Sequence, residues 1–142
     1  MQPVIEVRDV VNRFGSQTVH DGVSFDVFPG EIFGVVGGSG TGKSVLLRTI
    51  LGLRPPTSGT VAVEGVDITG ADDDQLRAVK RRYGVAFQNG ALFSSLTVGE
   101  NITLPVAEAM DLDEESLAAL VGLRLRMVGL PLDAAMKYPA QL

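Results

Sequence analysis

The chain has 142 residues, of which 45% are hydrophobic and 20% charged, the balance of an ordinary globular domain. A net charge of −5 argues against a general nucleic-acid binder, because phosphate neutralisation needs a basic face. The sequence holds no cysteine, which excludes disulfides and thiolate metal sites.

In chain order, "VIEVRDVV" alternates apolar and polar residues, as a half-buried strand does. The following "NRFGSQTVHDG" carries the Gly, Asn and Ser of a turn region, and "VSFDVF" alternates again before "PGE" breaks it. This predicts antiparallel strands over Val4–Val11 and Gly22–Phe28, with His20, the single histidine, at the surface between them. "IFGVV" is a short apolar run bounded by glycines, the pattern of a strand buried on both faces. Next, "KSVLLRTILGL" sets Leu46, Leu47, Ile50 and Leu51 at helical spacing, predicting a helix over Lys43–Leu53.

"TVAVEGVDI" reads as a further strand and turn. In "ADDDQLRAVKRR", aspartates open a helix and Lys80, Arg81 and Arg82 close it, matching the helix dipole at both ends; the basic triplet is read as a solvated helix end. "YGVAF" is a second short apolar run, predicted to be a buried strand. Beyond it the character changes. Thr97-x-x-Glu100 fits a capping box for a helix to about Glu108, with Pro105 inside it. Asp111-x-x-Glu114 is the expected cap of another helix, whose stripe is Leu117, Leu120, Val121 and Val128.

One motif carries chemistry. "GGSGTGKS", Gly37 to Ser44, fits G-x-x-x-x-G-K-[ST] between a predicted strand and a predicted helix. The glycines let backbone N–H groups close around phosphate oxygens, and the helix presents its positive end to the same anion. Lys43 has the reach for the β and γ phosphates, and the Ser44 hydroxyl suits magnesium. The pattern predicts a nucleoside triphosphate site comprising Gly37, Gly38, Ser39, Gly40, Thr41, Gly42, Lys43 and Ser44. It does not separate a transport ATPase from a GTPase or a small-molecule kinase. Asp67-Ile68-Thr69-Gly70 has the letters of a GTPase D-x-x-G motif, yet it lies in a polar turn where Asp and Gly are expected, and no N-K-x-D follows.

Two longer stretches, "RFGSQTVHDGVSFDVFPGEIFGVVGGSGTGKSVLLRTILGL" and "YGVAFQNGALFSSLTVGENITLP", resemble the N-terminal half of an ATP-binding cassette (ABC) transporter ATPase. The resemblance implies an α/β P-loop core with an antiparallel N-terminal β-subdomain up to a Q-loop (1–88) and the start of an α-helical subdomain (89–142). It implies that Phe14 stacks on adenine and that Gln88 is the Q-loop glutamine, joining Ser44 at magnesium. ATP and Mg²⁺ are the implied cofactors. The implied partners are an integral-membrane permease, met through the region after Gln88, and a second ATPase subunit, with no nucleic acid. In the family "YPxxL" leads into the signature sequence, so Leu142 is expected to be its first letter. The chain is then expected to be truncated before the signature, the Walker B strand and the catalytic glutamate, with no catalytic residue of its own. Val45, "FQNGALFSSLTVGENI" and "VGLPLDAAMKYPAQL" are similar to Mla-type phospholipid transport ATPases, with an amino-acid or other importer, or a non-hydrolysing nucleotide-binding module, as the alternatives. Glu6, Arg8 and Asp9 stand where a secretory signal needs an apolar core, and no apolar run nears the ~18 residues of a spanning helix. The expected location is cytoplasmic, peripheral on the inner membrane through the permease.

Overall fold

The computed structural model describes residues 1–87 and 90–142 and divides into two compact units, Met1–Gly84 and Val85–Leu142. The Q-loop position, Gln88, lies outside the described residues.

The first unit is built on four antiparallel strands: β1 (Ile5–Phe14), β2 (Gln17–Val27), β3 (Ser58–Val63) and β4 (Val66–Asp67), in the order β2-β1-β3-β4. Both expected N-terminal strands are present and antiparallel, and both are longer than their patterning suggests. The segment read as a turn region is itself strand. Only Gly15 and Ser16 form the loop, because Phe14 pairs with Gln17 and Asn12 with His20 across a tight hairpin. A register shift between Asn12 and Arg13 sets His20 opposite Asn12, and His20 is buried rather than at the surface, with 9% of its area exposed.

Two helices belong to this unit, α1 (Lys43–Ile50) and α2 (Asp73–Lys80). Val7, Val10, Val61 and Val63 of the sheet meet Leu46 and Ile50 of α1, Val79 of α2 and Ile68 in a single core. The start of α2 is fixed by a reciprocal capping box: the Asp72 carboxylate accepts from Gln75 N–H while the Gln75 amide oxygen accepts from Asp72 N–H. At its basic end Arg82 pairs with Glu64 at 2.8 Å, on the surface.

The two apolar runs depart from expectation. Neither "IFGVV" (32–36) nor "YGVAF" (83–87) is a strand. Ile32 is fully exposed and Val36 nearly so, whereas a buried strand would hide both. The physical reason is pairing: no described strand hydrogen-bonds to either run, and an extended segment without neighbours does not form a sheet.

In the second unit, α3 (Val98–Ala107) begins with the expected capping box between Thr97 and Glu100, and Pro105 sits inside its last turn. Another helix, α4 (Glu114–Met127), is capped by Asp113, which accepts from Ser116 N–H, rather than by Asp111. Leu125 is at the centre of the packing, and Val128, which follows the last helical residue, is exposed. Leu125 packs with Val98 and with Ala134 from a 3₁₀ turn over Leu132–Met136. The Asn101 side chain ties the preceding loop to α3, accepting from Phe93 N–H at 2.8 Å and donating to the Phe93 carbonyl at 3.1 Å.

Candidate phosphate-binding site

Residues 37–41 form an open, exposed loop that runs into α1. Gly42 is the residue before the helix and takes φ 95°, a left-handed conformation that disfavours a β-carbon. The space around it says the same. A β-carbon here would overlap Cγ1 of Val19 and lie 2.8 Å from Nε2 of His20. The loop therefore ends pressed against β2.

Lys43 folds back across its own loop, its ammonium donating to the carbonyl oxygens of Gly37 at 2.7 Å and Gly38 at 2.5 Å. The Thr41 hydroxyl donates to Gly38 as well, at 2.9 Å. Among the described residues, none of the backbone N–H groups from Ser39 to Ser44 has a hydrogen-bond acceptor. These are the donors that a phosphate-binding loop turns toward its anion, and α1 adds its positive end behind them. The Ser44 hydroxyl is exposed at the first turn of α1, a hard oxygen beside that anion-attracting surface and of the type magnesium takes.

Behind the loop lies a polar contact that the sequence reading missed. Asn12 and Thr49 are almost fully buried, and His20 joins them. Asn12 Nδ2 lies 3.1 Å from His20 Nδ1 and 3.3 Å from Thr49 Oγ1, while Thr49 also donates to the Val45 carbonyl inside α1. The three side chains bolt β1 and β2 to α1, nearly two turns along the helix from the lysine. Burial pushes the His20 pKa below its ordinary value. The Gly15–Ser16 hairpin alone would set Asn12 opposite Val19; a register shift between Asn12 and Arg13 moves His20 opposite Asn12, and no sequence pattern announces it.

Phe14 sits at the end of β1, paired with Gln17. Val19, which touches the Gly42 position, is two residues beyond Gln17, about 7 Å along the strand. The ring is 41% exposed, with the Arg54 guanidinium carbon 3.9 Å from its centroid. The lone-aromatic pattern gave no hint of that cation. The D-x-x-G letters resolve as a turn: the Asp67 carboxylate accepts from both the N–H and the hydroxyl of Thr69. No cluster of three or more His, Asp or Glu side chains suited to a metal ion occurs among the described residues.

Residues 20–139 match the family model described as ABC transporter. The chain belongs to the ABC transporter family. Among its relatives is the methionine import ATP-binding protein MetN of Brucella abortus, 44% identical over 140 residues, which covers 99% of this chain and 37% of that protein. Another, from Mycobacterium leprae, is named a probable ribonucleotide transport ATP-binding protein, mkl; it is 34% identical over the whole of this chain and 41% of its own length. The chain thus spans about two fifths of the curated relatives it matches. A similar solved structure is the dimeric ATP-binding cassette MJ0796 in a post-hydrolysis state bound to ADP and Pi. It has a TM-score of 0.85 and 29% identity, and the match covers 97% of this chain and 62% of that one. The expected α/β ABC fold, with its antiparallel N-terminal sheet, is therefore the fold of this family member. The narrower Mla-type resemblance finds no counterpart in these relatives' names.

Proposed function

We propose that this chain is the ATP-binding part of an ABC cassette that takes MgATP at Gly37–Ser44 and, within a longer protein, drives a membrane transporter by ATP hydrolysis. The observation that carries this reading is the unpaired N–H array of the glycine loop, with Lys43 folded over it at the positive end of α1. ATP is to displace the ammonium from the Gly37 and Gly38 carbonyls, and Lys43 then meets the β and γ phosphates. Ser44, with Gln88, is assigned to the magnesium ion, which neutralises phosphate charge when bound. Phe14 is assigned to the adenine, and residues 1–88 and 89–142 to the nucleotide core and the start of the helical subdomain. The region after Gln88 is assigned to the permease, on the cytoplasmic side of the inner membrane, and a second copy completes the ATPase pair.

For the cargo, the relatives' names favour the importer reading, with an amino acid such as methionine, over phospholipid. The lipid reading rests on Val45, the Gly90–Phe93 stretch and "VGLPLDAAMKYPAQL". Methionine uptake that is unchanged in cells lacking the protein, together with altered outer-membrane lipid, would reverse that preference.

The decisive test is a titration with MgATP. Lys43→Ala is expected to weaken binding by tenfold or more, on the order of a buried charge-assisted contact. Equal affinity of the two proteins removes the assignment. The 142-residue chain is expected to bind ATP without turnover, and hydrolysis above the Lys43→Ala control would locate a water-orienting group within it.

A further inference from the structure

Arg54 is held in place more firmly than a surface arginine. Its segment leaves the C-terminal end of α1, where Leu53 N–H donates to the Arg48 carbonyl at 2.9 Å. Pro55 and Pro56 follow and fix two successive φ angles. Thr57 then joins the end of β1 twice, its N–H donating to the Val11 carbonyl at 2.8 Å and its hydroxyl accepting from Arg13 N–H at 3.0 Å. The arginine is therefore carried on a short brace between α1 and the strand that ends in Phe14.

From that brace its guanidinium lies over the Phe14 ring, 3.9 Å from carbon to centroid. Its Nε is buried and has no hydrogen-bond partner, and no carboxylate among the described residues pairs with it. With its Nε out of solvent and no carboxylate beside it, the guanidinium makes its contact with the ring face. With the guanidinium over one face of the ring, Phe14 as a residue is still 41% exposed.

We propose that Arg54 is a positioning residue for the nucleotide base: it backs Phe14 and fixes the plane of the ring, so that a purine stacks on the opposite face in a guanidinium–phenyl–purine sandwich. This rests on the assignment of Phe14 to the base and deepens it. A phenyl ring alone rotates about two side-chain bonds, and one clamped from behind offers a ready platform. Stacking reads the π-face of a base and not its edge pattern, so the clamp serves ATP and GTP alike.

The experiment is a double-mutant cycle read with three probes, MgATP, MgGTP and inorganic tripolyphosphate. Arg54→Met keeps length and loses charge. It is expected to weaken ATP and GTP about three- to tenfold, the scale of one partly exposed cation–aromatic contact, and to leave tripolyphosphate unchanged. On a Phe14→Ala background the Arg54→Met effect is expected to vanish, and Arg54→Lys to recover part of the loss. An equal loss for tripolyphosphate would overturn the proposal, since the cation would then serve the phosphates or the fold. Additive effects of the two substitutions would overturn it as well. Tighter ATP binding by Arg54→Met would put the guanidinium on the face the base needs, with the same result. Absence of Lys43-dependent ATP binding in the unsubstituted chain would overturn both this inference and the nucleotide reading, whereas loss of the Arg54 effect alone removes only the inference.

Discussion

Asn12 Nδ2 stands 3.1 Å from His20 Nδ1, inside the sheet and directly behind the phosphate loop. Thr49 Oγ1 lies near both amide atoms of Asn12, 3.3 Å from Nδ2 and 3.4 Å from Oδ1, while the other ring nitrogen of His20, Nε2, faces Gly42. Protonating the ring would place a charge in a site with little water.

A pH dependence follows from that arrangement. Burial lowers the folded pKa of His20 from its ordinary 6.5, so the unfolded chain binds the extra proton first. The stabilisation is complete above pH 6.5 and is lost as pH falls from there through the lower, folded pKa. His20→Gln keeps an acceptor for Asn12 and removes the titration. Thermal melts are expected to show the native protein losing stability more steeply than His20→Gln below pH 6.5. Parallel curves would mean that His20 is already protonated or already wet.

Gly42 gives a second outcome. Alanine here would both hold a left-handed φ and push into Val19 and His20. Gly30 has a similar φ of 78° with nothing within 4 Å of its β-carbon position. Gly30→Ala should cost only the ~1–2 kcal/mol of the backbone conformation. Gly42→Ala should cost clearly more and also weaken MgATP binding, because the loop is levered off β2. Comparable melting temperatures for the two variants would show that the strand yields to the new methyl group.

These positions explain what was legible in the sequence. The turn into α1 was readable because its constraints are local: Gly40 and Gly42 take positive φ and the helix opens at Lys43. The capping box of α3 was readable for the same reason. His20 and Arg54 were not, because their roles depend on contacts across the fold. His20 sits in polar company that imitates a turn, and it takes both the hairpin at Gly15–Ser16 and the bulge between Asn12 and Arg13 to set it opposite Asn12. Arg54 meets Phe14 forty residues away in sequence, through a brace that no periodicity announces. The start of α4 was misread by two residues because Asp111 and Asp113 are chemically equal candidates, and only the backbone at Ser116 chooses between them.

The last prediction comes from 32–36, whose apolar composition asks for cover on both faces. Phe33 finds some, stacking on Phe25 with centroids 4.7 Å apart and planes 9° from parallel. Ile32 and Val36 find little, at 100% and 92% exposed. Each 100 Å² of apolar surface left in water forgoes about 2.5 kcal/mol, against a typical domain stability of ~5–15 kcal/mol. An extended apolar run with no strand beside it also offers its backbone to any other chain. The 142-residue chain is therefore expected to bind a hydrophobic dye and to self-associate as its concentration rises. Replacing both Ile32 and Val36 by glutamate should reduce dye binding and association together, while far-UV circular dichroism stays the same because neither residue belongs to the β1–β4 sheet. A monomer that binds no dye and melts in one sharp transition would show that this run is covered in solution. Unchanged association in the doubly substituted chain would move the sticky surface elsewhere, with exposed Phe93 and Met136 of the second unit the next places to look.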